Sequence, residues 1–451
     1  MVNHDTDNSK SYLEWLEQGA ERVVTPFQEF IRDQTTGSIL LLACTVAALI
    51  IANSPLAHDY EALIETQAGF VLGEWSLKMS LRHWVNDGLM SLFFFVLGLE
   101  IKREILVGEL NDPQQSFPVI AAAVGGMLVP AGIYYALNAD TANIHGWGIP
   151  MATDTAFAVG VLALLGSRIP VALITFLTAL AIIDDLGAIL VIAIFYTESI
   201  NLHWLVLAGL FLIILVACNI LGVRRPLVYM GVGGLVWLAM LGSGVHATVA
   251  GVLVAMIIPA RPKLDPEWFM HRARSLIDDF EKIEEQSERP ILGEDEEHIV
   301  VEKVQDTAEK ATTPLRRWER SLEYPVALLV MPVFALTNAG IPLEPGSLAT
   351  MWTDPLSLGI VLGLVAGKSI GITLMAWLAI RLNLGRLPQD VNMRHIVGIG
   401  LLGGMGFTMS IFIAGLGFAS SPEALVNAKG AILLASLVAG LSGYLWLRKH
   451  G

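Results

Sequence analysis

Residues 170–196 read PVALITFLTALAIIDDLGAILVIAIFY, an apolar run whose only charges are the adjacent Asp184 and Asp185. A bilayer's hydrocarbon core needs about 20 apolar residues per helix, so the run is long enough to span a membrane. Ionised side chains at that depth cost about 2.5–3.5 kcal/mol each on insertion scales and usually mark an ion or substrate path. The stretch thus predicts a transmembrane helix that carries a function at its middle.

The composition agrees with that reading. Of 451 residues, 54% are hydrophobic and 16% charged, against about 25% charged in an ordinary globular domain, and mean hydropathy is +0.61. A disordered, fibrous or disulfide-built protein is excluded. The net charge of −14 offers no basic face to nucleic acid. Cys44 and Cys218 lie in separate apolar runs and build neither a disulfide framework nor a metal cage. No cofactor is expected.

Eleven further apolar runs accompany the first, at 36–53, 85–107, 117–137, 147–165, 203–221, 227–241, 244–259, 322–341, 356–380, 395–416 and 424–447. The expected fold is therefore an all-α polytopic membrane protein of twelve transmembrane helices. The pair 227–241 and 244–259 is short and divided only by Gly242 and Ser243. Lys and Arg set the orientation. With the N-terminus inside, the outer loops carry only Lys78 and Arg82, whereas the inner segments carry 13 basic residues even without the eleven in 260–321. Both termini are then cytoplasmic. The layout is a retained N-terminal segment (1–35), spans 1–8 (36–259), an acidic cytoplasmic loop (260–321), spans 9–12 (322–447) and a short tail (448–451).

Two segments outside the membrane have their own patterns. Trp75, Leu77, Met79 and Leu81 alternate with Ser76, Lys78, Ser80 and Arg82 after Gly73-Glu74, which predicts an outer β-hairpin near 68–83. Its edge either pairs with a second copy of the chain or caps its own helices. In the acidic loop, Leu276, Ile277, Phe280 and Ile283 are spaced for one face of a short helix, in what reads as a solvated, partly ordered insertion.

The remaining ionisable residues at membrane depth are Asp154 near the middle of span 4, Lys368 at the centre of span 10, Asp87 toward the outer end of span 2, and Glu100 and Glu104 toward its inner end. Salt bridges that merely tie helices together account for Asp154 or Lys368 singly. They account badly for adjacent carboxylates, and three acids exceed one base, so at least one acid should exchange protons near neutral pH. A small hard cation such as Na⁺ or Li⁺ takes oxygen ligands, which two carboxylates and the Thr153 hydroxyl supply. Protons compete for the same oxygens, so exchange of cation for proton is the economical reading. Symmetry adds to it. Spans 3–5 and 10–12 have opposite directions and could be inverted repeats. Span 4 is interrupted by Pro150 and Thr153-Asp154-Thr155, and span 11 by Gly403-Gly-Met-Gly-Phe-Thr-Met-Ser410. Interrupted helices at matching places, crossing at mid-membrane, point to a transporter site, and Asp154 and Lys368 have the right signs to compensate half-helix ends.

These residues resemble the NhaA-type sodium/proton antiporter family. The resemblance rests on Phe93-Phe-Phe-Val-Leu-Gly-Leu-Glu-Ile-Lys-Arg-Glu104, Ala152-Thr-Asp-Thr-Ala-Phe157, Ile183-Asp-Asp-Leu-Gly187, Gly244-Val-His-Ala247, Asn338-Ala-Gly340, Gly367-Lys-Ser-Ile-Gly371 and Gly406-Phe-Thr-Met-Ser-Ile-Phe412, in family order from about residue 20 onward. It implies an inner-membrane antiporter, electrogenic and pH-regulated, that expels Na⁺ or Li⁺ against protons for sodium and pH homeostasis. It further implies that Asp184 and Asp185 bind cation and proton alternately, that Thr153 assists the ion, that Asp154 offsets helix ends, and that Lys368 pairs with Asp184 when the ion is absent. Glu100, Glu104 and Asp87 match acidic positions along the inner funnel and outer side. His246 and Glu319 match positions linked to pH response, and the outer hairpin matches a homodimer contact. Two departures bear on the family's pH set-point: Trp318-Glu319-Arg320 replaces the family's Leu-Glu-His, so a permanent cation stands where a titrating His is expected, and the loop before it is long compared with the shortest members.

Other readings fit less well. Gly363-Leu-Val-Ala-Gly-Lys-Ser369 lacks one residue of a phosphate-binding loop and lies in an apolar span. An intramembrane aspartyl protease takes its two acids from separate helices, in Tyr-Asp and Gly-x-Gly-Asp contexts that are missing here. A sodium-coupled symporter needs an organic-substrate pocket, and this cluster offers only oxygen and ammonium groups.

Overall fold

The computed structural model describes residues 26–72, 75–108, 113–197, 200–262, 265–286, 295–342, 351–388 and 390–450. Most of the expected segment 1–35, the Gly73-Glu74 turn, part of the acidic loop and Gly451 lie outside them.

In chain order the elements are α1 (Pro26–Ala52), α2 (Ala57–Ile64), β1 (Gln67–Leu72), β2 (Trp75–Ser80) and α3 (Met90–Val107), the last continuing a π-helical turn at Trp84–Leu89. Next come α4 (Pro113–Asn138), α5 (Thr155–Leu165) after a 3-10 segment at Ile144–Met151, α6 (Val171–Phe195), α7 (Leu202–Ile220), α8 (Pro226–Ser243) and α9 (Thr248–Ile257). They are followed by α10 (Pro266–Gln286), α11 (Asp295–Ala311), and α12 (Pro314–Pro325), which runs through a π turn into α13 (Met331–Asn338). The chain ends with α14 (Pro355–Leu362), running through Gly363–Gly367 into α15 (Lys368–Arg381), then α16 (Met393–Gly403), α17 (Phe407–Gly417) and α18 (Pro422–His450).

Local chemistry sets several of these ends. Pro226, Pro314 and Pro355 open their helices, where a missing N–H costs nothing. Asn201, Thr313 and Asp354 cap with side-chain oxygens. Helix α8 stops at Gly244, whose φ of +82° is left-handed, so the divide between spans 7 and 8 falls after Ser243 rather than at Gly242–Ser243.

The protein is an all-α polytopic membrane protein with one small sheet. Among the described residues, eight helices are long and apolar enough to cross a bilayer, or ten if the bent pairs α1–α2 (117°) and α16–α17 (44°) are each one span. The two other expected spans coincide with α9, which has only 10 residues, and with α3, which carries Glu100, Lys102, Arg103 and Glu104.

The chain divides into two compact units, one from the described parts of 1–66, 113–188 and 327–451, the other from those of 67–112 and 189–326. In the first, α4 and α15 pack so closely that a Cβ on Gly371 would lie 2.1 Å from the Gly125 carbonyl oxygen, and one on Gly125 would lie 2.3 Å from that of Gly371. A Cβ on Gly367 would meet the Pro130 backbone at 2.8 Å. Small residues let helix backbones touch in this way, and the contact holds Lys368, between the two glycines, against the site. A Cβ on Gly160 of α5 would press at 2.9 Å on Ser38 of α1, whose hydroxyl donates to the Ala156 carbonyl at 2.6 Å.

In the second unit, α3, α7, α8, α9 and α12 share a core that includes Leu99, Leu215, Tyr229, Met240 and Trp318. Strands β1 and β2 pair antiparallel from Gln67↔Ser80 to Leu72↔Trp75. The strand ends at Ser80, two residues short of the expected alternation, because Ser80 accepts from the His83 N–H and starts a helical turn. Within the described parts of 260–321, α10 and α11 pack together. Leu276 is buried and Ile277 is 53% exposed, so the inward face is Leu276, Phe280 and Ile283, and Ile277 does not belong to it.

The glycine crossing gives a direct test. Gly371→Val should destabilise the protein by about 1–3 kcal/mol or more, as overpacking does, and lower its melting temperature in detergent. Gly132→Ala on α4, where a Cβ meets nothing within 4 Å, should not. Equal melting of both variants would contradict the packing described.

Candidate functional site

The first unit's two broken helices meet at their breaks. The 3-10 segment ends at Met151, Ala152 is extended, and Asp154 caps α5. Helix α16 stops at Gly403 and α17 begins at Phe407. The Asp154 N–H donates to the Met405 carbonyl at 2.6 Å, and the Ser410 hydroxyl donates to the Ile149 carbonyl at 2.8 Å. Backbone groups stranded by each break are thereby satisfied by the other, as burial away from water requires.

Asp154 joins the two half-helices electrostatically. Its Oδ1 accepts from the Phe157 N–H at 3.2 Å, in the first turn of α5. Its Oδ2 accepts from the Thr408 N–H at 3.0 Å and the Thr408 hydroxyl at 2.6 Å, in the first turn of α17. Each helix N-terminus carries a positive partial charge, and one carboxylate, 2% exposed, faces both. Thr408 was quoted within a motif but given no role by sequence reasoning. A hydroxyl residue opening a half-helix after a glycine run was the available signal.

Beside the crossing lies a buried charged cluster. Asp184 and Lys368 are fully buried and form an ion pair through Asp184 Oδ2. Lys368 Nζ also donates to Thr153 Oγ1 at 2.5 Å. The Thr153 hydroxyl lies 2.8 Å from Asp184 Oδ2 and 3.0 Å from the Gly403 carbonyl, its two acceptors. The other carboxylate oxygen, Asp184 Oδ1, is buried with no hydrogen-bond partner among the described residues, and a Cβ on Gly126 would stand 3.8 Å from it. Asp185, next along α6, is 3% exposed. The structure therefore brings Thr153, Asp154, Asp184, Asp185 and Lys368 into one unit. Among the described residues no group of three His, Cys, Asp or Glu has metal-holding geometry. A small cation here would draw on carboxylate, hydroxyl and carbonyl oxygens, the ligand type that hard cations prefer.

The remaining candidates lie in the second unit, in two groups. Asp87 sits in the π turn, with its backbone carbonyl accepting from Trp237 Nε1 at 2.9 Å, and its carboxylate is within electrostatic reach of His83 and His246. His246 Nε2 is 2.8 Å from the Tyr196 carbonyl. The second group centres on Arg103, which sequence reasoning left without a role. Its guanidinium contacts Glu104 at 2.5 Å, Glu319 at 2.7 Å and Glu100 at 3.9 Å. Three carboxylates around one fork suit the planar donors of arginine. Lys102 beside it donates to the Met256 and Ile258 carbonyls at 2.7 and 2.6 Å, capping the end of α9. In the departing triplet, Trp318 is buried against Tyr229, while Arg320 is exposed.

Comparison with known proteins follows the same lines. Residues 28–447 match the family described as Na⁺/H⁺ antiporter 1. The chain is 48% identical over 446 residues to the Na(+)/H(+) antiporter NhaA 1 of Saccharophagus degradans, covering 98% of this chain and 96% of that one. It is 48% identical over 433 residues to the Na(+)/H(+) antiporter NhaA 1 of Shewanella denitrificans, covering 96% of each. It is 46% identical over 439 residues to the Na(+)/H(+) antiporter NhaA of Sulfurimonas denitrificans, covering 97% of this chain and 98% of that one. With its broken helices crossing beside a buried carboxylate–ammonium cluster, the chain belongs to the Na⁺/H⁺ antiporter 1 family.

Proposed function

We propose that the protein exchanges Na⁺ or Li⁺ for protons at the buried cluster of its first unit, with Asp184 and Asp185 holding cation and protons in turn. As a member of the Na⁺/H⁺ antiporter family it is a secondary transporter rather than an enzyme. The observation that carries the site assignment is the seat of Lys368: an ammonium rests on one oxygen of Asp184 together with the Thr153 hydroxyl, while the other oxygen has no hydrogen-bond partner among the described residues. A protein cation thus occupies the place where a transported cation would bind.

The exchange follows from charge balance. A buried carboxylate needs a positive partner, and stripping one from a buried pair costs about 3–5 kcal/mol. Lys368, protons and Na⁺ compete for that role, so arrival of Na⁺ displaces the others. Thr153 supplies a hydroxyl ligand. Asp154 remains with the helix ends and keeps the crossing neutral as the ion passes. At low pH protons hold the carboxylates and Na⁺ is excluded; as pH rises the site opens. Glu100, Glu104, Asp87, His246 and Glu319 serve the pH response or the ion funnel. With more protons than cations per cycle, transport is electrogenic.

The same reading extends to architecture. Helices α3 and α9 complete twelve spans, and spans 3–5 and 10–12 are inverted repeats whose middle members cross at mid-membrane. Both termini and residues 260–321 face the cytoplasm of a bacterial inner membrane. The β1–β2 hairpin joins two copies into a homodimer; Phe70 at its rim, 71% exposed, supports an outside partner.

In inside-out vesicles, Na⁺ and Li⁺ but not K⁺ should dissipate an imposed ΔpH, more strongly at pH about 8.5 than at about 6.5, where protons hold the carboxylates. Asp185→Asn should abolish the response while inserting normally. Full transport by that variant would remove the site assignment. Lys368→Ala should lower the melting temperature and shift the pH profile. If neither changes, Lys368 has no part in the cycle. Imposing a membrane potential should change the rate, and indifference to voltage would mean one-for-one exchange.

A further inference from the structure

The α10–α11 hairpin contains a cleft of about 780 Å³ that plays no part in the exchange just described. Its cations are Arg272 on α10 and Lys303 and Lys310 on α11, with Trp268 and His271 completing the α10 wall. Asp306 is the cleft's acid, and it is already paired with Lys310. Among the described residues Arg272 and Lys303 have no carboxylate partner. Both are exposed, and Trp268 is 49% exposed.

This concentration of positive charge runs against the segment's composition, since acids crowd the sequence between Asp278 and Glu302. The cleft itself carries three cations against one acid. The two helices pack together, which sets residues 268–275 of α10 with residues 303–310 of α11. These are the portions nearest in sequence to the stems, where the Leu315 N–H donates to the Pro259 carbonyl at 3.2 Å and ties the hairpin's two ends together. From those stems the chain runs into apolar α9 on one side and, on the other, into the helix 314–338, whose first part, Pro314–Pro325, is amphipathic and whose remainder is apolar. Asp278, Asp279 and Glu281 follow further along α10. Basic side chains beside a membrane attract anionic headgroups, and a tryptophan is suited to the same interface.

We propose that this cleft binds phosphate-bearing anions, and that its place at the stem favours the phosphodiester headgroup of an anionic phospholipid. Arg272 and Lys303 bind the phosphate oxygens through charge-assisted hydrogen bonds, and Trp268 covers the apolar part of the ligand. Lys310, neutralised by Asp306, shapes the floor. The site is independent of the ion cluster, and its test does not involve transport.

The experiment is calorimetric titration of the full-length protein in an uncharged maltoside detergent. One arm uses a short-chain phosphatidylglycerol below its micelle concentration, a second uses inorganic phosphate, and a third uses the zwitterionic phosphatidylcholine of the same chain length. Saturable binding of phosphatidylglycerol, at least tenfold tighter than of phosphatidylcholine, is expected. The Arg272→Gln/Lys303→Gln variant should bind at least tenfold more weakly with an unchanged melting curve, whereas Arg272→Lys/Lys303→Arg should retain binding. Phosphate binding as tight as the lipid's would support the site and identify soluble phosphate as its source. No saturable binding of either anion, or equal binding by the neutralised variant, would overturn the proposal.

Discussion

Everything in the first unit depends on keeping charge and broken backbone satisfied away from water. Two helices stop in the protein interior, and their stranded N–H and C=O groups are closed by each other: Asp154 N–H on Met405, Ser410 hydroxyl on Ile149. Asp154 then sets one negative charge against two positive helix ends. With these ends accounted for by Asp154, the charges left beside the crossing are those of Asp184, Asp185 and Lys368. The glycine contact between α4 and α15 serves the same end from the other side, since a bulkier residue at Gly371 or Gly125 would hold Lys368 away from Asp184.

A fully satisfied buried pair would be inert. Here Asp184 uses one oxygen for Lys368 and Thr153 and leaves the other without a partner among the described residues, an arrangement that costs free energy and favours a further ligand. In the proposed exchange, competition among an ammonium, protons and a small cation for the same oxygens is a matter of modest differences, which pH and ion gradients can reverse. The second unit holds its own charged groups. Arg103 gathers Glu100, Glu104 and Glu319 around one guanidinium, and Asp87 lies within reach of two histidines.

Much of this was legible in the sequence because the physics is stark. A doublet of carboxylates inside an apolar run, and glycine-rich or proline-broken segments at matching places, have few structural explanations. What stayed hidden depended on side-chain geometry. Thr408 as the second partner of Asp154 and Arg103 as the hub of three acids required knowing which helix faces meet. Boundaries also shifted for local reasons: Gly244 moved the end of α8, and Ser80 shortened β2. Ile277 was assigned to the inward face of α10, but three neighbours sufficed to fill it. The charged C-terminal end of α3 and the brevity of α9 are why length and composition alone count eight to ten spans among the described residues.

The central claim is that one set of carboxylates binds cation and proton in competition. Proton release on Na⁺ binding to the purified protein, measured by titration in buffers of different ionisation enthalpy, tests it most directly. The account predicts that Na⁺ binding releases protons, that its apparent affinity falls by tenfold or more per pH unit on acidification wherever at least one proton is exchanged, and that Asp185→Asn loses this release. Na⁺ binding that releases no protons and keeps the same affinity across that range would contradict it.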